Sequence, residues 1–102
     1  MTWYCFDKGK TVGLTGSENG EILLDEEHEL GARITLEKVD LPGKNYFAIT
    51  CGIYGWMFHT HFVSSEEALR DFEAMKLELT GIINLIPTVE NANDENVSNS
   101  FR

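Results

Sequence analysis

The residues of this chain whose types and spacing most directly suggest chemistry are His59 and His61. Alternate side chains of a β-strand point to the same face, so the two Cα atoms would lie about 6.5 Å apart and both imidazoles could bind one zinc ion. A zinc site also needs a third and usually a fourth ligand. His28 or an acidic side chain would have to complete the site. Without such an additional ligand, His59 and His61 are simply two histidines on a half-solvated sheet face, with no metal-binding role.

Two other motifs fail when their spacing is checked. The acidic run from Asp25 to Glu29 lacks the spaced oxygen ligands and central glycine of an EF-hand loop, and it is more typical of a solvated hairpin tip. The tripeptide Gly9-Lys10-Thr11 matches the end of a P-loop, but that pattern requires glycine where this chain has Tyr4. Neither motif therefore predicts cation or nucleotide binding.

The two cysteines, Cys5 and Cys51, offer no catalytic pair. A thiol nucleophile must lie within hydrogen-bond reach of a base, and Cys51 sits among the apolar residues of a predicted core strand. The sequence has no segment typical of a signal peptide, so we expect both thiols to be reduced. We therefore expect a protein without catalytic activity.

The strand that carries the histidines is predicted to be the second strand of a hairpin. Apolar residues alternate on both sides of a break at Tyr54-Gly55: Phe47, Ile49, Cys51 and Ile53, then Trp56, Phe58 and Phe62. An even-numbered loop, with residues 52–55 as the favoured version, points both sets to one face and sets Cys51 opposite Phe58 or Trp56. The other face then carries Ala48, Thr50, Met57, His59 and His61. A three-residue loop with Gly55 in the left-handed conformation is the competing geometry, and it scatters the aromatic residues over both faces.

An amphipathic helix follows the hairpin. Ser64 is its predicted N-cap, with Glu67 three residues later as the partner in a capping box. The predicted buried stripe follows three-and-four spacing: Leu69, Phe72, Met75, Leu79, Ile82, Ile83 and Ile86. Pro87 ends the helix at or just before Ile86.

The remaining patterns complete the fold class. Residues 32–39 and 21–24 predict two more strands, and the sequence leaves open whether residues 3–6 add another. We predict an α+β fold, an antiparallel meander of four or five strands with one C-terminal helix packed on one face, in two layers. Residues 1–87 form one globular domain, and residues 88–102, which lack an apolar period, form a disordered acidic and polar tail.

The net charge of the chain limits the classes of partner that it can bind. With 17 acidic and 8 basic side chains the formal net charge is -9, which opposes binding to nucleic acid or to an anionic membrane. We expect a small, acidic, cytoplasmic interaction protein with a protein partner or with self-association. A homodimer through the second sheet face would use Thr50, Met57, His59 and His61. The alternative is a metal- or small-ligand-binding domain that uses His59 and His61, with zinc as the cofactor.

Overall fold

The computed structural model describes residues 3–55 and 57–85. Its elements are β1 (Trp3–Cys5), β2 (Glu21–His28), β3 (Ala32–Leu41), β4 (Lys44–Ile53), β5 (Met57–Val63) and α1 (Ala68–Ile83). The strands form one antiparallel sheet in the order β1-β2-β3-β4-β5, and α1 packs on it over β3 and β4. This confirms the predicted meander with one C-terminal helix. The predicted tail, residues 88–102, lies outside the described residues.

The central hairpin of β3 and β4 turns at Pro42-Gly43, a pair of residues that favours tight turns. Leu41 pairs with Lys44 across Pro42 and Gly43, and Gly43 adopts the positive φ of 79° that such a tight turn requires. The inward side chains of the two strands pair across the ladder, with Ile34 opposite Cys51 and Leu36 opposite Ile49. These residues are buried beneath α1. The prediction that Cys51 is a core residue is therefore confirmed.

Strand β2 is longer than predicted. It continues through Asp25 to His28, and both of these side chains are buried. The expectation of a solvated tip at residues 25–29 is therefore wrong for those two residues. Asp25 is paired with Arg33 of β3, and the ring of His28 packs edge-to-face against Trp3 of β1. Long-range partners, which the local charge pattern does not reveal, allow both polar side chains to be buried.

Helix α1 buries Ala68, Phe72, Leu79 and Ile83 against the sheet. It begins later than predicted, at Ala68. Residues 65–67 form a turn, and the hydroxyl of Ser64 donates to the carboxylate of Glu67 at 3.1 Å. The helix ends at Ile83 rather than at Ile86. Two contacts link the helix to strands β1 and β2. The Trp3 indole N–H donates to Thr80 at 3.0 Å, and Lys76 pairs with Glu26 at 2.7 Å.

The hairpin of β4 and β5 has the competing loop geometry. Its register pairs Ile53 with Met57, Cys51 with His59 and Ile49 with His61. The loop thus comprises residues 54–56, and the predicted even-numbered loop is wrong. A three-residue loop places the positive φ on Gly55, at 73°, where a glycine has no steric penalty. The loop residue Trp56 lies outside the described residues.

That one-residue difference reverses the faces of β5. His59 and His61 lie on the same face of the sheet as α1, whereas Phe58 and Phe62 lie on the opposite face with Thr50. We call the face away from α1 the open face. Phe58 and Phe62 are therefore exposed on the open face. The predicted register would have placed both side chains in the core.

Candidate functional site

The open face is half covered by the chain segment between β1 and β2. The ring of Phe6 stacks on the guanidinium group of Arg33, whose carbon lies 3.5 Å from the ring centroid. The hydroxyl of Thr11 donates to Asp25 at 2.8 Å. This segment therefore covers β2 and β3, and the parts of β4 and β5 beyond it form the uncovered half.

Glu37 anchors the end of the covering segment. Its carboxylate is fully buried and accepts hydrogen bonds from the backbone N–H groups of Glu18, at 3.2 Å, and Gly20, at 3.0 Å. The hydroxyl of Ser17 lies 3.4 Å from the second carboxylate oxygen. A Cβ atom added at Gly16 would lie 2.5 Å from the carboxyl carbon of Glu37, so only glycine allows this close approach. These contacts hold residues 16–20 against β3.

A groove runs along the open face between the anchored loop and β5. Its cavity volume is about 660 Å³, which is within the range of small-molecule sites. Thr35, Thr50 and Gly52 line it from the central strands, residues 15–17 form one wall, and Phe58 contributes to the other. The groove is therefore bordered by an exposed aromatic ring on the β5 side.

The polar end of the groove is occupied by internal pairs. Arg33 donates from Nε and Nη2 to the two oxygens of Asp25, at 2.9 and 2.7 Å. These hydrogen bonds raise the pKa of Arg33. The guanidinium group is therefore already paired with the buried carboxylate of Asp25. Tyr54 donates to Glu27 at 2.8 Å. Partial burial, followed by this hydrogen bond, raises the pKa of Tyr54 to about 12.

Strand β5 is an edge of the sheet. Within the described residues it pairs with β4 along one side, and no strand pairs with its other side. Phe58 is 75% exposed and Phe62 is 53% exposed. An edge strand with unpaired backbone groups and exposed apolar side chains is a template for pairing with another chain.

On the α1 side, His59 and His61 stand over a hollow between β5 and the helix. Their ring centroids are 6.1 Å apart and the ring planes differ by 23°, so the imidazoles are nearly parallel. The hollow has a volume of about 260 Å³ and is also lined by Cys51 and by Glu78 of α1. Burial raises the pKa of Cys51, and the negative charge of Glu78 raises it further. The neutral thiol is therefore favoured at this position.

The structure brings together only part of the predicted interface set. His59 and His61 share the α1 face, but Thr50 lies on the open face, where its hydroxyl is 3.3 Å from that of Thr60. Met57 pairs with Ile53, and its side chain lies outside the described part of the structure. The predicted grouping of Thr50 with the two histidines is therefore wrong, because it depended on the even-numbered loop.

Among the residues that the structure describes, the predicted metal pair has no third ligand. Among the described residues, no three histidine, cysteine, aspartate or glutamate side chains are placed to hold a metal ion. His28 lies three strands away on β2, about 14 Å across the sheet, so it does not join His59 and His61. Its Nδ1 atom instead accepts the backbone N–H of Leu30 at 3.1 Å.

Apolar periodicity does not detect a second pattern, which is centred on the β5 edge. The residues Phe58-His59-Thr60-His61-Phe62 read the same in both directions about Thr60. Comparing the strand with its own reverse would have revealed this symmetry. The exposure of the two phenylalanines was not accessible from apolar periodicity alone, because that pattern treats every phenylalanine as a core residue.

Comparisons of the chain with protein-family models, with curated proteins and with solved structures found no match. Within the described residues, no helix combines the length and the apolar content that crossing a membrane requires. The site must therefore be interpreted from its own geometry.

Proposed function

We propose that this chain is an interaction protein that forms a homodimer by pairing β5 with the β5 strand of a second copy. The observation that carries the proposal is the palindrome about Thr60 on an unpaired edge strand. A two-fold interface must be self-complementary, because each contact occurs twice with the partners exchanged. Antiparallel pairing centred on Thr60 sets Phe58 opposite the partner's Phe62 and His59 opposite the partner's His61.

The chemistry of β5 supports pairing with another strand. Proteins commonly protect exposed sheet edges with lysine, proline or other interrupting residues. The segment Met57–Val63 contains no lysine, arginine, proline, aspartate or glutamate. Its exposed phenylalanines would instead form aromatic cross-strand pairs, each of which contributes about 0.2 to 1 kcal/mol.

Net charge predicts how the association should respond to salt. Two copies of a chain with a formal charge of -9 repel each other, whereas β5 has no carboxylate or lysine in the interface. Salt screens long-range repulsion over a Debye length of about 8 Å at physiological ionic strength. The dimer should therefore become tighter as salt is added, whereas an interface built on ion pairs would weaken.

The first experiment places a charge on the two-fold axis. Thr60→Lys sets two like charges directly opposite each other, so we expect it to weaken the dimer, by up to about 1 kcal/mol or roughly fivefold in the dissociation constant, in sedimentation velocity over a concentration series. Leu77→Lys is the matched control, because Leu77 is exposed on α1 and the substitution makes the same change in net charge. A wild type that stays monomeric at all concentrations would refute the proposal. So would dissociation by Leu77→Lys with retention by Thr60→Lys.

The second experiment tests the register, in a Cys5→Ser background and with a chelator present. Thr60→Cys brings two thiols together at the two-fold axis, so mild oxidation should yield a disulfide-linked dimer. In the control His61→Cys, the two new cysteines are offset by about 6.6 Å along the strands, and their Cα atoms exceed the roughly 7 Å limit for a disulfide. Equal cross-linking of both variants would contradict pairing centred on Thr60.

A metal- or ligand-binding function of one isolated chain has less support. His59 and His61 supply two ligands, and a zinc site needs more. We therefore do not propose zinc binding by the monomer. The groove on the open face has suitable volume, but its charged groups are already paired with one another.

A further inference from the structure

We infer that the homodimer holds one transition-metal ion, for which zinc is the probe, between His59 and His61 of both copies. This inference rests on the proposed dimer, because the two-fold axis through Thr60 completes a set of four imidazoles. Each chain contributes two of them from the α1 face of β5. Imidazole nitrogens are common ligands of zinc, which prefers four ligands in a tetrahedral arrangement.

The spacing of paired strands fits one ion. Directly opposite side chains have Cβ atoms about 4.5 to 5.5 Å apart, and alternate residues along one strand are about 6.5 Å apart. The four histidines therefore occupy the corners of a rectangle whose centre is about 4 Å from each Cβ atom. An imidazole extends far enough from Cβ to place a nitrogen about 2.0 to 2.1 Å from an ion above that centre.

The observed ring positions allow the imidazoles to rotate into a metal-bound arrangement. The parallel imidazoles of one chain are separated by 6.1 Å between centroids, so they must tilt toward the axis to share an ion. Both histidines are exposed. Rotation about their side-chain bonds therefore disrupts no core packing. In the single chain, no metal ion draws the rings together.

The surroundings of the pair also suit a cation. Helix α1 lies over β3 and β4, so in the dimer the two helices would border a trough with the four histidines on its floor. Glu78 lines the hollow beside the histidines, and it brings a negative charge from each copy. Cys51, the nearby soft ligand, is buried in the core. The donor set is therefore four imidazoles in an acidic setting.

The test combines sedimentation with calorimetric zinc titration of the full chain. We expect the wild type to dimerise in a chelator and to bind one zinc ion per two chains. At free zinc 100 times its dissociation constant, the dimer should be about 100-fold tighter. His59→Ala combined with His61→Ala should lose zinc binding, and zinc should then no longer tighten the dimer of this variant. Thr60→Lys keeps both histidines but weakens pairing, so it should reach the one-to-two stoichiometry only at a higher protein concentration than the wild type. Magnesium should not bind to the wild type.

The outcomes separate the metal site from the dimer. A dimer in the chelator that binds no zinc, or that binds it equally well after both alanine substitutions, would overturn the metal site and leave the proposed function standing. A chain that dimerises only with zinc, at one ion per two chains, would support the metal site and overturn metal-free assembly. A chain that is monomeric with and without zinc would overturn both.

Discussion

Replacing the two exposed phenylalanines of β5 should dissociate the proposed dimer without unfolding the chain. A phenylalanine side chain presents roughly 200 Å² of surface, so Phe58 at 75% and Phe62 at 53% exposure present about 250 Å² per chain. If pairing covers half of that area, the two chains remove about 250 Å² from water, worth about 6 kcal/mol. Phe58→Thr with Phe62→Thr keeps residues that favour strands and should cost at least about 3 kcal/mol, or about 100-fold in the dissociation constant.

Sedimentation equilibrium measures this dissociation constant, and a thermal melt of the same variant reports on the fold. Because both rings are exposed, the free energy of unfolding of the monomer should change by less than about 1 kcal/mol. Leu69→Gln with Leu77→Gln is the control, since it removes exposed apolar side chains of similar exposure, 62% and 75%, from α1. A dissociation constant that is unchanged in the phenylalanine variant, or raised in the leucine variant instead, would refute pairing through β5.

Three further predictions concern the fold around this edge. Gly16→Ala should lower the free energy of unfolding by about 1 to 3 kcal/mol in a denaturant melt, because the added Cβ would overlap a hydrogen-bonded carboxylate. Gly81→Ala is the control: its added Cβ would meet no atom within 4 Å, so the better helix propensity of alanine should raise the free energy of unfolding by up to about 1 kcal/mol. Cys51 should react with a thiol reagent only at the rate of global unfolding, and rapid labelling of the folded chain would contradict its burial. The phenol of Tyr54 should ionise near pH 12 in an absorbance titration. Since its pKa is raised above 10, the stability from its hydrogen bond is present below pH 10 and is lost as pH rises toward 12, and Glu27→Gln should lower that pKa.

The elements themselves could be predicted because their signals are local. Alternating apolar residues and the Pro42-Gly43 turn define β3 and β4, and three-and-four spacing defines α1. The position of Cys51 in the core follows from the same alternation. These parts of the fold depend on neighbours in sequence, so one sequence is sufficient to find them.

The candidate site could not be predicted because it depends on a single loop residue. A loop of three rather than four residues turns Phe58 outward and His59 toward the helix, and both loops leave plausible apolar patterns on β5. The apolar pattern also does not show that one helix covers mainly β3 and β4. The buried carboxylates of Asp25 and Glu37 depend on contacts with distant segments, and their local sequence is typical of exposed strands.

The two edges of the sheet differ in length, and this asymmetry would limit how far the proposed assembly can grow. The far edge is β1, which has three residues, whereas β5 has seven. Pairing β5 of one copy with β1 of the next would repeat without end and build a fibre, but the short strand offers too few backbone groups to compete. Pairing of β5 with itself consumes the long edge of both copies in one event. In the proposed dimer, polymerisation would therefore stop at two chains, and any substitution that lengthens β1 would give the sheet a second growing end.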